Sequence, residues 1–200
     1  MQIPVKSLIL VLSIAAGLAA DKDQPFKAGP VAGYANKQTN ENVTIAAKPY
    51  DTEELAKAAF GKVNPNREGV LPVLVVIRND TGKAISLEGL RAEYITPNRT
   101  KIEATPVEDL TYLQGPNRPD YRTSPIPGQG PRVKRRKNPL AGSQMSVRAL
   151  AVQMLPSGEE ASGFVYFQTG HRRGSILYLT GLRDATSGRE LFYFEIPLDD

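Results

Sequence analysis

The stretch VLPVLVVI, residues 70–77, places eight apolar side chains in succession, most of them β-branched. Successive side chains of a strand point to opposite faces, so a strand with one face in water alternates apolar with polar. Eight positions without a polar residue leave neither face for water. The run therefore predicts a central strand with a layer of protein against each side. Pro72 has no N–H to give to a ladder and belongs near the strand start or at a bulge. The RNDTGK that follows is turn chemistry, with Asn79, Asp80 and Gly82 tolerant of positive φ.

Other strands are legible around this one. Leu90, Ala92, Tyr94 and Thr96 alternate with Arg91, Glu93 and Ile95, and TKIEAT (100–105) predicts a short edge strand. NVTIAA (42–47) places Val43 and Ile45 on one face. GFVYFQ, SILYLTGL and ELFYFEI supply three more runs in the last fifty residues, with DATSGRE as hairpin-turn material and Gly188 at its left-handed position. PYDTEELAKAAFGK (49–62) predicts a helix: Asp51 can cap it, Glu54 follows three residues later, and Gly61 can close it. Leu55, Ala58 and Ala59 would form its docking stripe. In SQMSVRALAVQML (143–155), Val147, Leu150, Ala151 and Met154 fit helical spacing, although alternation fits nearly as well; a helix is the expectation. About six short strands in two blocks predict a two-sheet antiparallel sandwich. A mixed α+β roll is the competing architecture.

The first residues read as a secretory signal over 1–19. Lys6 and the amino terminus provide positive charge, Leu8–Leu18 is apolar, and Gly17 and Ala19 are small residues at a cleavage point. The apolar run is shorter than the ~20 residues that span a bilayer comfortably, although an uncleaved anchor is the alternative. No Cys follows it, which excludes a lipoprotein anchor. Residues 20–40 show no sustained periodicity and predict a flexible lead-in. A single domain is expected over 41–198, interrupted by residues 115–142. The absence of Cys also removes disulfides, thiolate metal sites and Cys nucleophiles, so the fold must rely on its core. The expected location is exported, periplasmic or extracellular.

VLPVLVVIRNDTGKAISL and LPSGEEASGFVYFQ together resemble stretches of uncharacterised bacterial exported proteins with an immunoglobulin-like β-sandwich domain. The resemblance covers about half of the chain after the signal, and its motifs mark fold rather than chemistry. In such proteins the first stretch is an early sandwich strand and the second opens a late one. Relatives of this type carry Pro-Gly-Glu in the second stretch, where this chain has Pro156, Ser157, Gly158 and Glu159. The resemblance implies a mostly β, immunoglobulin-like antiparallel sandwich with one or two short helices; it brings no catalytic residue and no cofactor.

Charge is the remaining signal. The whole chain carries +4, yet residues 115–142 hold seven Lys and Arg against one acid, Asp120, so the rest of the chain is acidic. Six Pro and four Gly in those 28 positions predict a long disordered loop outside regular structure. Within it Arg132, Lys134, Arg135, Arg136 and Lys137 are candidates for contact with an anionic polymer or lipid headgroups. Solvated charge and, in a eukaryotic secretory route, dibasic processing are the other readings; a nuclear signal conflicts with export. A nucleic-acid-binding fold would spread positive charge over a face, so no specific nucleic-acid partner is expected.

Catalytic signals are weak. His171, the single histidine, lies in QTGHRRGS and reads as a solvated turn residue. Glu53–Glu54 suit a helix start, Glu159–Glu160 follow a turn and Asp199–Asp200 are the last two residues. Paired carboxylates could serve glycoside hydrolysis, but no Trp is present as a sugar platform. Phe164, Tyr166, Phe167, Tyr178, Phe192, Tyr193 and Phe194 mostly alternate along strands and read as core and cross-strand packing. Tyr166 and Tyr193 fall on a phase opposite to part of that set, which leaves some exposed aromatic surface as the alternative. Asn42, Asn79 and Asn98 head glycosylation tripeptides, although Asn79 also has a turn role. No catalytic residue, metal site or cofactor is expected. The functional expectation is a non-enzymatic exported module that contacts an envelope protein or anionic polymer, including a membrane surface. A small carboxylate-dependent hydrolase and a subunit of a larger envelope assembly are the alternatives.

Overall fold

The computed structural model describes residues 26–110, 120–122, 132–134, 140 and 143–199. The signal over 1–19 lies outside these residues. The apolar run becomes β3 (Leu71–Asn79), buried at every position except Arg78. It pairs antiparallel with β2 (Val43–Pro49) on one side and β10 (Glu160–Phe167) on the other, setting Ile77 between Ile45 and Ala161. Pro72 sits at the second residue of the strand, as its missing N–H requires, and its carbonyl accepts the Tyr50 N–H at 2.9 Å. Addition of β1 (Lys37–Asn40) outside β2 gives the order β1-β2-β3-β10.

A second antiparallel sheet runs β13 (Phe194–Pro197), β11 (Ile176–Thr180), β5 (Arg91–Ile95) and β6 (Lys101–Glu103). Val43, Ile45, Val73, Val75 and Ile77 of the first sheet share one buried cluster with Tyr94, Leu177, Leu179, Phe194 and Ile196 of the second. The mostly β, two-sheet arrangement thus agrees with the sequence reading. The sheets are also joined at their margins. Gln38 Oε1 accepts the Glu195 N–H at 2.6 Å, and past β6 the Thr105 N–H donates to Tyr166 O at 2.8 Å. Such links cover strand edges that would otherwise present open ladders. A small third sheet joins β12 (Arg183–Asp184), β4 (Ile85–Ser86) and β9 (Met154–Leu155).

The other face of the first sheet, with Ala46, Leu74, Val76, Phe164 and Tyr166, is covered by helices and the N-terminal segment. Helix α1 (Glu53–Phe60) starts one residue later than its sequence signal: Thr52 rather than Asp51 caps it, accepting the Leu55 N–H at 3.3 Å. Its buried face is Ala56, Ala59 and Phe60, whereas Ala58 is exposed and Leu55 half-buried. A sheet below and helices above explain why β3 has no polar side.

Two expectations need correction here. The lead-in over 20–40 is structured from Phe26 onward. Val31 is buried, Phe26 packs against Tyr50 and Phe164, and β1 joins β2 through Glu41 and Asn42, both at positive φ as a tight hairpin requires. The second helix, α2 (Ser143–Arg148), covers only six residues, and its phase is not the one read from Val147. Met145 is its buried side chain, while Val147 is 80% exposed. After α2, Ala149 bridges to Phe164 and Met154 enters β9 instead of continuing a helix.

Candidate functional site

Part of the basic stretch has regular backbone. β7 (Asp120–Arg122) and β8 (Arg132–Lys134) pair antiparallel, with Arg122 opposite Arg132, Tyr121 opposite Val133 and Asp120 opposite Lys134. This corrects the expectation that residues 115–142 avoid strands altogether. Both triplets are free of Pro and Gly, and each centres on a good strand former, Tyr121 or Val133. Among the described residues the two strands pair only with each other. Arg135, Arg136 and Lys137 lie outside the described residues. Beyond them the chain is held to the body: Leu140 is 2% exposed and packs in the helical layer with Met145, Phe164 and Tyr166.

The helical layer also forms a cleft. About 520 Å³ is enclosed between Phe26, Lys27 and Ala28 on one wall and Gln144, Val147 and Arg148 of α2 on the other, over Leu74 and Ser162–Phe164. Gly163 makes this approach possible. A Cβ there would stand 2.6 Å from the Leu150 backbone nitrogen, so a side chain would push the post-helix segment away from β10. With glycine in place, the Leu150 N–H donates to Phe164 O at 3.0 Å. The buried Tyr166 hydroxyl pins α2 by donating to Met145 O at 2.8 Å, and burial pushes its pKa up. Tyr166 is thus core, in line with the packing read for the aromatic set.

Arg148 is held at the cleft by neighbouring side chains. Its Nε and Nη2 donate to Gln144 Oε1 at 3.3 and 3.2 Å, and its guanidinium lies 5.4 Å from the centre of the Phe26 ring. Burial holds its pKa below the ordinary guanidinium value, against a smaller opposing pull from Tyr166.

His171 departs most from its sequence reading. Its side chain is only 10% exposed. Nδ1 lies 3.2 Å from the Tyr94 hydroxyl, and Nε2 lies 3.0 Å from Asp199 Oδ1. Asp199 Oδ2 also accepts the Gly174 N–H, and Tyr94 Oη accepts the Arg172 N–H at 2.7 Å. Burial opposes ionisation of Asp199, but the Gly174 amide and His171 outweigh it and hold the carboxyl below its usual range. The arrangement ties the end of the chain to the β10–β11 turn. Among the described residues the Tyr94 phenol is the one hydroxyl that bonds to the imidazole.

The second cleft, about 490 Å³, is polar and has Glu88, Arg91, Arg183 and Glu190 among its walls. Glu190 is committed locally: it accepts the Gly181 N–H at 3.2 Å and faces Arg183 at 3.4 Å. Exposed aromatic surface lies instead at Phe192 and Tyr193, 66% and 49% exposed, with Tyr193 against Tyr178 at 5.5 Å between ring centres. Among the described residues no three His, Asp or Glu cluster at metal-binding distances, and no helix is long and apolar enough to cross a membrane. Asn79 is fully buried, so its glycosylation tripeptide serves the fold. The chain matches no family model, and no curated protein sequence shows significant similarity to it.

Proposed function

We propose that the protein is a non-enzymatic, exported binding module of immunoglobulin-like topology that engages an anionic envelope surface or polymer through the basic run. What supports the topological reading is that one sheet sets the early strands β2 and β3 beside the late β10, and the other sets β5 beside the late β11 and β13. The observation that carries the functional reading is the bracketing of the run. Lys134 ends β8, Leu140 is buried three residues after Lys137, and the five cations 132–137 lie between proline residues at 131 and 139. Regular backbone at Arg132–Lys134 and the buried Leu140 therefore stand on either side of the concentrated charge. Arg132, Lys134, Arg135, Arg136 and Lys137 are the contact residues in this reading.

Each basic residue near an anionic membrane contributes about 1 kcal/mol, so four together contribute about 4 kcal/mol, roughly a thousandfold in affinity. The test is co-sedimentation of the full chain with phosphatidylglycerol-containing and neutral phosphatidylcholine vesicles. Binding to the first alone, lost when Lys134, Arg135, Arg136 and Lys137 are all changed to Gln, supports the reading. Wild-type protein that ignores anionic vesicles and soluble polyanions alike, or a variant that binds as well as wild type, overturns it.

A further inference from the structure

We propose that the cleft beside α2 is a binding site for a small amphiphilic anion, an alkyl or aryl carboxylate, distinct from the basic run. Two cations face this cleft, Lys27 and Arg148, and no carboxylate among the described residues pairs with either. Gln144 takes two of the five N–H donors of Arg148 and orients the guanidinium, whose carbon lies 5.4 Å from the centre of the Phe26 ring. The remaining donors are preorganised for a carboxylate, whose two oxygens suit a guanidinium fork. Half-burial of Arg148 strengthens that attraction relative to open solvent.

The rest of the lining specifies the body of the ligand. Phe26, Leu74, Val147 and Phe164 give an apolar wall and floor, and Val147 is otherwise an unexplained apolar residue at 80% exposure. Strand alternation adds a polar point. Asn79 donates to Glu159 O, so the hydrogen-bonded partners of β3 are the odd-numbered residues 159, 161 and 163, and the main-chain groups of Ser162 turn outward at the cleft. The outward carbonyls of Phe164 and Tyr166 are already occupied by Leu150 and Thr105, which leaves no continuous edge for an extended peptide. The volume of about 520 Å³ falls within the usual range for small-molecule sites.

The probe is decanoate, kept below its micelle concentration and titrated calorimetrically into the full chain. Decyltrimethylammonium, with the same tail and the opposite charge, is the control. The expected result is decanoate binding, no binding of the ammonium, and at least a tenfold loss for Arg148→Gln. Val147→Asp places an anion at an exposed position without touching the core. It should abolish decanoate binding while leaving the melting temperature unchanged. The variant with residues 134–137 neutralised should bind decanoate like wild type, which separates this site from the vesicle contact. Equal binding of both amphiphiles, no decanoate binding, or undiminished binding by Arg148→Gln and Val147→Asp overturns the assignment.

Discussion

Asn79→Asp replaces one amide nitrogen with oxygen at the end of the central strand, with almost no change of shape. Asn79 is fully buried, and its side chain is completely used. Nδ2 donates to Lys83 O at 2.7 Å and Leu155 O at 2.9 Å, while Oδ1 accepts from the Thr81 N–H at 3.1 Å and hydroxyl at 2.8 Å. The amide thereby joins β3 to its turn and to β9. Aspartate keeps the acceptor and sets a second oxygen against two carbonyls. The Lys83 carbonyl still accepts from the Thr81 hydroxyl at 2.9 Å, whereas the buried Leu155 carbonyl loses this donor, so the loss is about 1–3 kcal/mol before any cost of burying charge. For a domain of this size that lowers the melting temperature by roughly 2–12 °C. The buried carboxyl would titrate above its unfolded value of about 3.9. Below that value it is protonated in both states and can still donate one bond. As pH rises through the higher folded value the ionised form is favoured only on unfolding, so the deficit grows. Thermal melts of both proteins from acid to neutral pH test this. Equal melting at neutral pH, or a gap that narrows as pH rises, refutes the account of the strand end.

Ile77→Ala removes a fully buried side chain between the two sheets and should cost about 2–5 kcal/mol in denaturant titrations. Arg78→Ala loses only partly exposed ion pairs to Asp80 and Glu160 and should cost about 1 kcal/mol or less. Gly181→Ala should prevent soluble expression or lower the melting point sharply, because residue 181 has φ +85° and a Cβ there would overlap the Gly89 carbonyl. Asp199→Asn should remove part of the acid sensitivity of the fold. The depressed wild-type carboxyl stabilises above its unfolded value and loses that contribution as pH falls through its folded one, so wild type should lose more stability on acidification than the variant.

Local physics made some of this fold readable and hid the rest. The composition of residues 70–77 announced burial on both faces, and alternation located Ala92 and Tyr94 correctly as the inward side of β5. The polar β1, Lys-Gln-Thr-Asn, had no apolar signal. It forms because the Glu41–Asn42 hairpin sets its register and cross-links to β13 hold its edge. The phase of α2 was unreadable for a related reason. In six residues the choice between burying Met145 and Val147 rests on the Tyr166 hydroxyl, 21 positions away. The surroundings of His171 depend on Tyr94 and Asp199, at separations of 77 and 28 residues, so its local turn composition suggested solvent exposure. The cleft was invisible in sequence for the same cause: Phe26, Arg148 and Gly163 come from three separate segments. Gly163 in a strand interior was the one available hint that another backbone comes close.

The central claim is that a folded sandwich carries a basic segment as its contact with anionic partners. Excision of residues 115–137 tests it most directly, because β7 and β8 pair only with each other among the described residues, and the cut spares the buried Leu140. Shortening a connection changes closure entropy only slowly, by about 0.6 kcal/mol for each halving. The shortened protein should therefore melt within a few degrees of wild type and lose its retention on phosphatidylglycerol vesicles at low salt. Retention equal to wild type, in a protein that still melts cooperatively, would contradict the claim and place the contact elsewhere on the sandwich.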